Sequence, residues 1–232
     1  MRTIAENLAR VRERIEAAAN RAGRDPQTVR LVAVTKTVEP ERIREALDAG
    51  AKTFGENYIQ EAQKKILVLG TQASWHFIGH LQKNKAKYAV RLFESIHSID
   101  GFALAEELNR VALKEGKVQN ILLQVDLGGE ETKFGVPEET VIKICENISG
   151  LEAVRVKGLM TLPPFSDEPE DSRPYFKKLR LLQDRLAELK IPRISMEELS
   201  MGMSGDFEVA IEEGATLVRV GTAIFGPRLP KR

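Results

Sequence analysis

Lys36 ends the apolar run LVAVT (31–35) and shares its alternation with Val32 and Val34. If those valines point into a core, the lysine amine enters at the top of it. A lysine there is costly unless paired or neutral, and desolvation lowers the pKa of an amine toward the range where it is a nucleophile able to form a Schiff base. Taken alone, the position better suits a lysine that snorkels from a strand end into solvent. Near the C-terminus, SMGMSGD (200–206) places Ser204, Gly205 and Asp206 where an apolar run gives way to a helix, and RVGTAIFG (219–226) makes a similar turn with Gly221 and Thr222. Small residues at such turns let the backbone approach an anion, whose charge is stabilised by N–H groups and the helix dipole. Each glycine alone could be a tight turn or a helix cap, but two such loops in succession point to a phosphate.

Arg219 shares its alternation with Gly221, so it is expected to face the same mouth as the phosphate loop. One reading pairs it with an acid such as Asp126 or Glu56. Another sets its permanent charge beside a pyridine ring, donating to the ring nitrogen and opposing protonation there, which weakens the ring as an electron sink. His76 and His80 share a face with Ile78, and no acidic or cysteine cluster of ligand spacing accompanies them, so no metal is expected. Trp75 and Phe77, on the other face, read as packing against a covering helix. KNKAKY (83–88) reads as a solvated helix face, and the lone cysteine, Cys145 in VIKICENI, as a packed thiol.

Eight strand candidates must position these groups: LVAVT (31–35), KTFGE (52–56), WHFIG (75–79), ESIHSI (94–99), NILLQVDL (120–127), VRVKGLM (154–160), EELSM (197–201) and TLVRV (216–220). Helical patterns lie between them, and several start with Pro or Asp and end in Gly. Ahead of the first strand, Ile4, Leu8, Val11 and Ile15 recur at helical spacing. Alternation of this kind predicts parallel pairing through right-handed crossovers. The expected fold is α/β, a single (β/α)8 TIM barrel domain over residues 1–232 with an extra N-terminal helix; an open doubly wound sheet is the rival. In a barrel, chemistry gathers at the C-terminal strand ends, where Lys36, Asn57, His80, Met160, Ser204 and Arg219 all fall.

Composition narrows the function. The 232 residues carry 35 Lys plus Arg against 34 Asp plus Glu, a net charge of +1, which argues against a general nucleic-acid or membrane-surface role. No apolar stretch approaches the roughly 20 residues of a membrane span, and the N-terminus lacks the apolar core of a secretory signal. A cytoplasmic monomer is expected.

The stretches AVTKT (33–37), FGENY (54–58), WHFIGHLQKNK (75–85), HSID (97–100), GLMTLP (158–163) and LSMGMSGDFEVAIEEGATLVRVGTAIFG (199–226) make the chain closely resemble the YggS/PROSC family of pyridoxal phosphate (PLP) homeostasis proteins. The resemblance covers essentially the whole chain. It implies a barrel like the N-terminal domain of alanine racemase, with PLP as cofactor and Lys36 as its Schiff-base lysine. Arg219 would face the pyridine nitrogen, Ser204, Gly221 and Thr222 would hold the phosphate, and Asn57 and Met160 would line the cofactor with Met201 nearby. VDLGGEETKFG (125–135) departs by carrying Asp126 where the family commonly has Asn, which bears only on that residue's contact.

The implied role is a non-catalytic protein of intracellular PLP homeostasis that buffers PLP or delivers it to apo-enzymes. The alternative is a PLP-dependent amino-acid racemase or decarboxylase. Two-base racemisation needs an acid/base on each face of the substrate. Alanine racemase takes its second base from a further C-terminal domain and a partner subunit; here six residues follow Gly226 and no such domain is expected, leaving Tyr58 or His76 as substitutes. A third reading, a Schiff-base aldolase acting on a sugar phosphate without PLP, uses the same lysine and phosphate loops but does not require the arginine.

Overall fold

The computed structural model of the chain describes residues 2–70, 72–129 and 134–227. Helix α1 (Ile4–Arg21) opens it, started by a capping box in which Thr3 and Glu6 satisfy each other's backbone N–H. Strand β1 (Arg30–Val34) leads to α2 (Pro40–Asp48), and β2 (Thr53–Glu56) to α3 (Ile59–Leu69). Then come β3 (Ser74–Phe77) with α4 (Ala86–Leu92), β4 (Ser95–Ile99) with α5 (Phe102–Lys114), and β5 (Gln119–Asp126). A two-residue strand, β6 (Val136–Pro137), precedes α6 (Val141–Ile148). The chain continues through β7 (Val154–Met160), α7 (Arg173–Glu188), β8 (Ile194–Ser200), α8 (Phe207–Glu212), β9 (Leu217–Val220) and α9 (Thr222–Phe225).

All pairings are parallel, and eight strands close a ring in the order β1-β2-β3-β4-β5-β7-β8-β9, with β9 returning to β1. This is the expected (β/α)8 barrel, and all eight expected strands are present. Two details differ. The strand β8 starts at Ile194, three residues before EELSM, and the short β6 pairs with β5 outside the ring. Only a strand buried on both faces announces itself by an apolar run; much of β8 is half-exposed and mixed in sequence, so its start was illegible.

The side-chain alternation divides two cores. Val32, Leu122, Met160 and Leu217 pack inside the barrel, whereas Ala33, Phe54, Trp75, Phe77, Ile96 and Val218 face the surrounding helices. Trp75 and Phe77 pack outward as expected, Phe77 with its ring centre 5.1 Å from that of Phe93. Cys145 is buried under α6, where burial pushes its thiol up to about 12, so it is a packing group. The last two helices, α8 and α9, are too short to cover β8, β9 and β1 alone. Helix α1 lies across them, burying Ile4, Leu8, Val11 and Ile15, while Arg14 pairs with Glu208 and Asn7 donates to the carbonyl of Ile224. The extra N-terminal helix is thus part of the barrel's outer layer.

Candidate functional site

A cavity of 460 Å³ opens at the C-terminal ends of β1, β9, β8 and β7, within the roughly 300–1,000 Å³ typical of small-molecule sites. Its wall includes Val34, Lys36, Asn57, Ser204, Arg219, Gly221 and Thr222. Six of the eight residues expected from the sequence therefore meet on one wall. Met160 and Met201 are not brought to it. Met160 is fully buried with Val32 and Leu217 inside the barrel, and Met201, next to inward-pointing Ser200, turns by strand alternation toward the helices. Met203 lines the cavity instead, together with Leu162 and Phe165 of the loop after β7.

Lys36 continues the inward alternation of Val32 and Val34, as expected. It does so from a tight turn closed by the Val38 N–H on the carbonyl of Thr35 at 2.9 Å. Also in this lining, Ser204 Oγ accepts from the backbone N–H groups of Gly221 at 3.2 Å and Ala223 at 3.4 Å. These two donors converge on one oxygen at the start of α9, and an anionic oxygen would meet the same donors with the added favour of charge.

Arg219 is 3 % exposed. Its guanidinium donates to Ser200 Oγ at 2.6 Å and to the carbonyl of Thr161 at 2.9 Å. Burial pushes its pKa down to about 10, opposed by Asp206, so it remains a cation at neutral pH. The acidic partners weighed from the sequence are occupied elsewhere: Glu56 faces outward to Lys65, and Asp126 Oδ1 accepts from the N–H groups of Gly128 and Gly129. Residues 130–133 of VDLGGEETKFG lie outside the described residues.

Behind Arg219 runs a chain that the sequence did not reveal. Ser200 Oγ lies 2.9 Å from His97 Nδ1, and His97 Nε2 lies 2.9 Å from His76 Nδ1. Since Ser200 already accepts from Arg219, its O–H donates to His97, and His97 Nε2–H donates to His76; the tautomers follow from this order. Both rings are then neutral, in keeping with their pKa values: burial lowers His76 to about 4 and drives His97 well below its usual range. His76 is thus committed to the barrel interior, away from the cavity wall, and His80 stacks on Phe134 at 3.6 Å with Asp100 3.5 Å from its Nδ1. Among the described residues no cluster of His, Cys, Asp or Glu could hold a metal ion. His97 and Ser200 were hidden because their meaning lies in cross-strand neighbours far away in sequence.

Beneath Asn57 the backbone of Gly79 passes so close that a Cβ there would sit 2.4 Å from the Asn57 carbonyl oxygen. Asn57 is presented to the cavity from this support, and its buried Oδ1 has no hydrogen-bond partner among the described residues. A bound group able to donate would satisfy it.

The barrel and the cavity at its C-terminal mouth define the class: a (β/α)8 barrel protein with a small-molecule cavity lined by a lysine, an arginine and converging backbone N–H donors. Residues 7–229 match the family model described as alanine racemase, N-terminal domain. A pyridoxal phosphate homeostasis protein of Aquifex aeolicus (strain VF5) is 50 % identical over 224 residues, covering 96 % of this chain and 97 % of that one. Among solved structures, PipY of Synechococcus elongatus PCC7942 with PLP bound superposes with a TM-score of 0.85 at 38 % identity, covering 97 % of this chain and 100 % of PipY. Alanine racemase of Clostridium difficile 630 shares the fold, with a TM-score of 0.75 at 14 % identity over 99 % of this chain and 57 % of the racemase. The chain belongs to the pyridoxal phosphate homeostasis protein family, on the alanine racemase N-terminal-domain fold.

Proposed function

We propose that this chain binds PLP and serves intracellular PLP homeostasis, holding the cofactor through Lys36 and buffering it or passing it to apo-enzymes. The observation that carries this reading is the single cavity wall on which Lys36, Arg219, Ser204 and Gly221 meet. The donor set suits the group: an amine for an aldehyde, a guanidinium for a ring nitrogen, and convergent N–H groups with a hydroxyl for a phosphate. When bound, PLP supplies an electrophilic aldehyde on an electron-withdrawing ring. Lys36 would hold PLP through its amine, and Gly221, Thr222 and Ser204 would hold the phosphate. Arg219, tied to Ser200 and Thr161, would set a donor beside the ring nitrogen and oppose its protonation. Asn57 lines the ring.

The carrier role, rather than racemisation or decarboxylation, rests on two supports. Relatives of this length and identity are named for homeostasis. Among the described residues lining the cavity, the ionisable groups besides Lys36 are Arg219 and Asp206, and Asp206 is held by the hydroxyl of Ser172 and the N–H of Met203. No second acid/base there opposes Lys36 across a bound substrate.

The protein mixed with PLP should acquire a visible Schiff-base absorption that is lost in Lys36→Ala. A wild-type chain that stays colourless with added PLP would overturn the reading and favour the aldolase. Sustained α-proton exchange of an amino acid at roughly 1 s⁻¹ or faster, the pace of ordinary enzymes, would overturn the carrier role.

A further inference from the structure

Lys36 sits at the second position of the turn 35–38, and the residue after it, Thr37, has φ +62°. A β-branched residue in the left-handed region is strained by roughly 1–3 kcal/mol and persists only when its surroundings hold it there. The holding groups lie on the outer face of the barrel, under α3. Lys65 is buried, and its Nζ donates to the carbonyl of Thr35 at 2.6 Å, to Glu56 Oε1 at 2.8 Å and to Glu61 Oε1 at 2.6 Å. The same Glu61 oxygen accepts the backbone N–H of Thr37, and Glu56 Oε1 accepts the Thr35 hydroxyl at 2.5 Å. The backbone is therefore gripped on both sides of Lys36, at Thr35 and at Thr37, by one helix turn of α3. Lys36 lines the cavity between these two gripped positions, so a grip on the backbone at Thr35 and Thr37 fixes the direction in which Lys36 leaves the chain.

We propose that Glu61 and Lys65 are positioning residues that clamp the strained 35–38 turn and so aim the Lys36 amine at the aldehyde of the bound ligand. The proposal rests on the PLP reading above. The step it serves is addition of Nζ to the aldehyde carbon, with the carbonyl oxygen leaving as water. Glu56 is the third member of the cluster: burial raises its carboxyl above the usual range, and Lys65 and Thr35 oppose that rise. The lysine thus stands between one buried and one partly exposed carboxylate, at side-chain exposures of 0 % and 25 %. Such a cluster is costly to bury, and its contacts with Thr35 and Thr37 give that cost a use.

Glu61, being partly exposed, is the residue to change. In Glu61→Ala, Schiff-base formation with PLP, followed by absorbance and by borohydride fixation at Lys36, should slow about tenfold, the equivalent of about 1.4 kcal/mol of lost restraint. Glu61→Gln, which keeps an acceptor oxygen, should recover most of the rate. Adding Thr37→Gly to Glu61→Ala should recover part of it, because glycine adopts positive φ without strain. Affinity for pyridoxine 5'-phosphate, which has no aldehyde, should be the same in all four proteins. Amide exchange at Thr37 should quicken in Glu61→Ala and stay slow in Glu61→Gln. A wild-type rate in Glu61→Ala, or an equal loss of pyridoxine 5'-phosphate affinity, overturns the clamp. If the wild-type chain takes up neither compound, the PLP reading fails, and the clamp is then decided by Thr37 exchange alone: unchanged exchange in Glu61→Ala overturns it.

Discussion

His76 and His97 make stability depend on pH in a calculable way. In the folded chain burial holds the His76 pKa at about 4, against 6.5 for the free side chain. Below pH 6.5 the unfolded chain binds a proton that the folded chain refuses, so stability falls as pH falls. The loss runs from the unfolded value of 6.5 down to the folded value of about 4 and then levels off. At about 1.4 kcal/mol per unit over about 2.5 units, His76 alone removes about 3–4 kcal/mol in full, of which about 3 is lost by pH 4. The pKa of His97 is lowered first by burial, and further by its coupling to His76 and by the Arg219 cation, so it acts with the same sign. Urea unfolding of wild type and His76→Gln, measured from pH 7.5 to 4, tests this. Carboxylates titrate in both proteins and cancel in the difference. The wild type should lose about 3 kcal/mol more than the variant across the window, and the double variant with His97→Gln should be flatter still. Curves that run parallel would refute the assignment of neutral, desolvated rings to the barrel interior.

Two further outcomes follow from the cavity wall. Ser204→Ala removes one hydroxyl beside the convergent N–H groups of Gly221 and Ala223, so PLP affinity should drop about tenfold to a hundredfold, as loss of a hydrogen bond to a charged group implies. Pyridoxal, which lacks the phosphate, should bind the variant and the wild type alike in the same titration. Gly79→Ala places a Cβ 2.4 Å from the Asn57 carbonyl oxygen, so the β3 end or the Asn57 backbone must move. Its melting temperature should fall by several degrees, with a stability loss of about 1–3 kcal/mol. An unchanged melting temperature would mean that the close approach of these two segments is not a constraint.

Much of this protein is local and was legible in the residue order. Strand existence follows from apolar runs bounded by turns, and the direction of Lys36 follows from its parity with Val32 and Val34, because alternation is a property of one strand. The paired loops at Ser204 and Gly221 were legible for the same reason: small residues at a strand-to-helix turn carry their meaning in their own few neighbours. What the sequence alone could not decide is what a residue meets across the barrel. Arg219 had a correct face but the wrong candidate partners, since Glu56 turns outward and Asp126 caps its own loop. Met201 was one residue out of phase with the inward-pointing Ser200. Closure of the ring brings His76, His97, Ser200 and Arg219 into one hydrogen-bonded chain from four different strands, and docking of α3 lays Lys65 and Glu61 on the backbone around Lys36. Sequence assigned the lysine its face; the tertiary structure supplied its restraint, because hydrogen bonds between residues 19 to 103 positions apart exist only after the strands have closed.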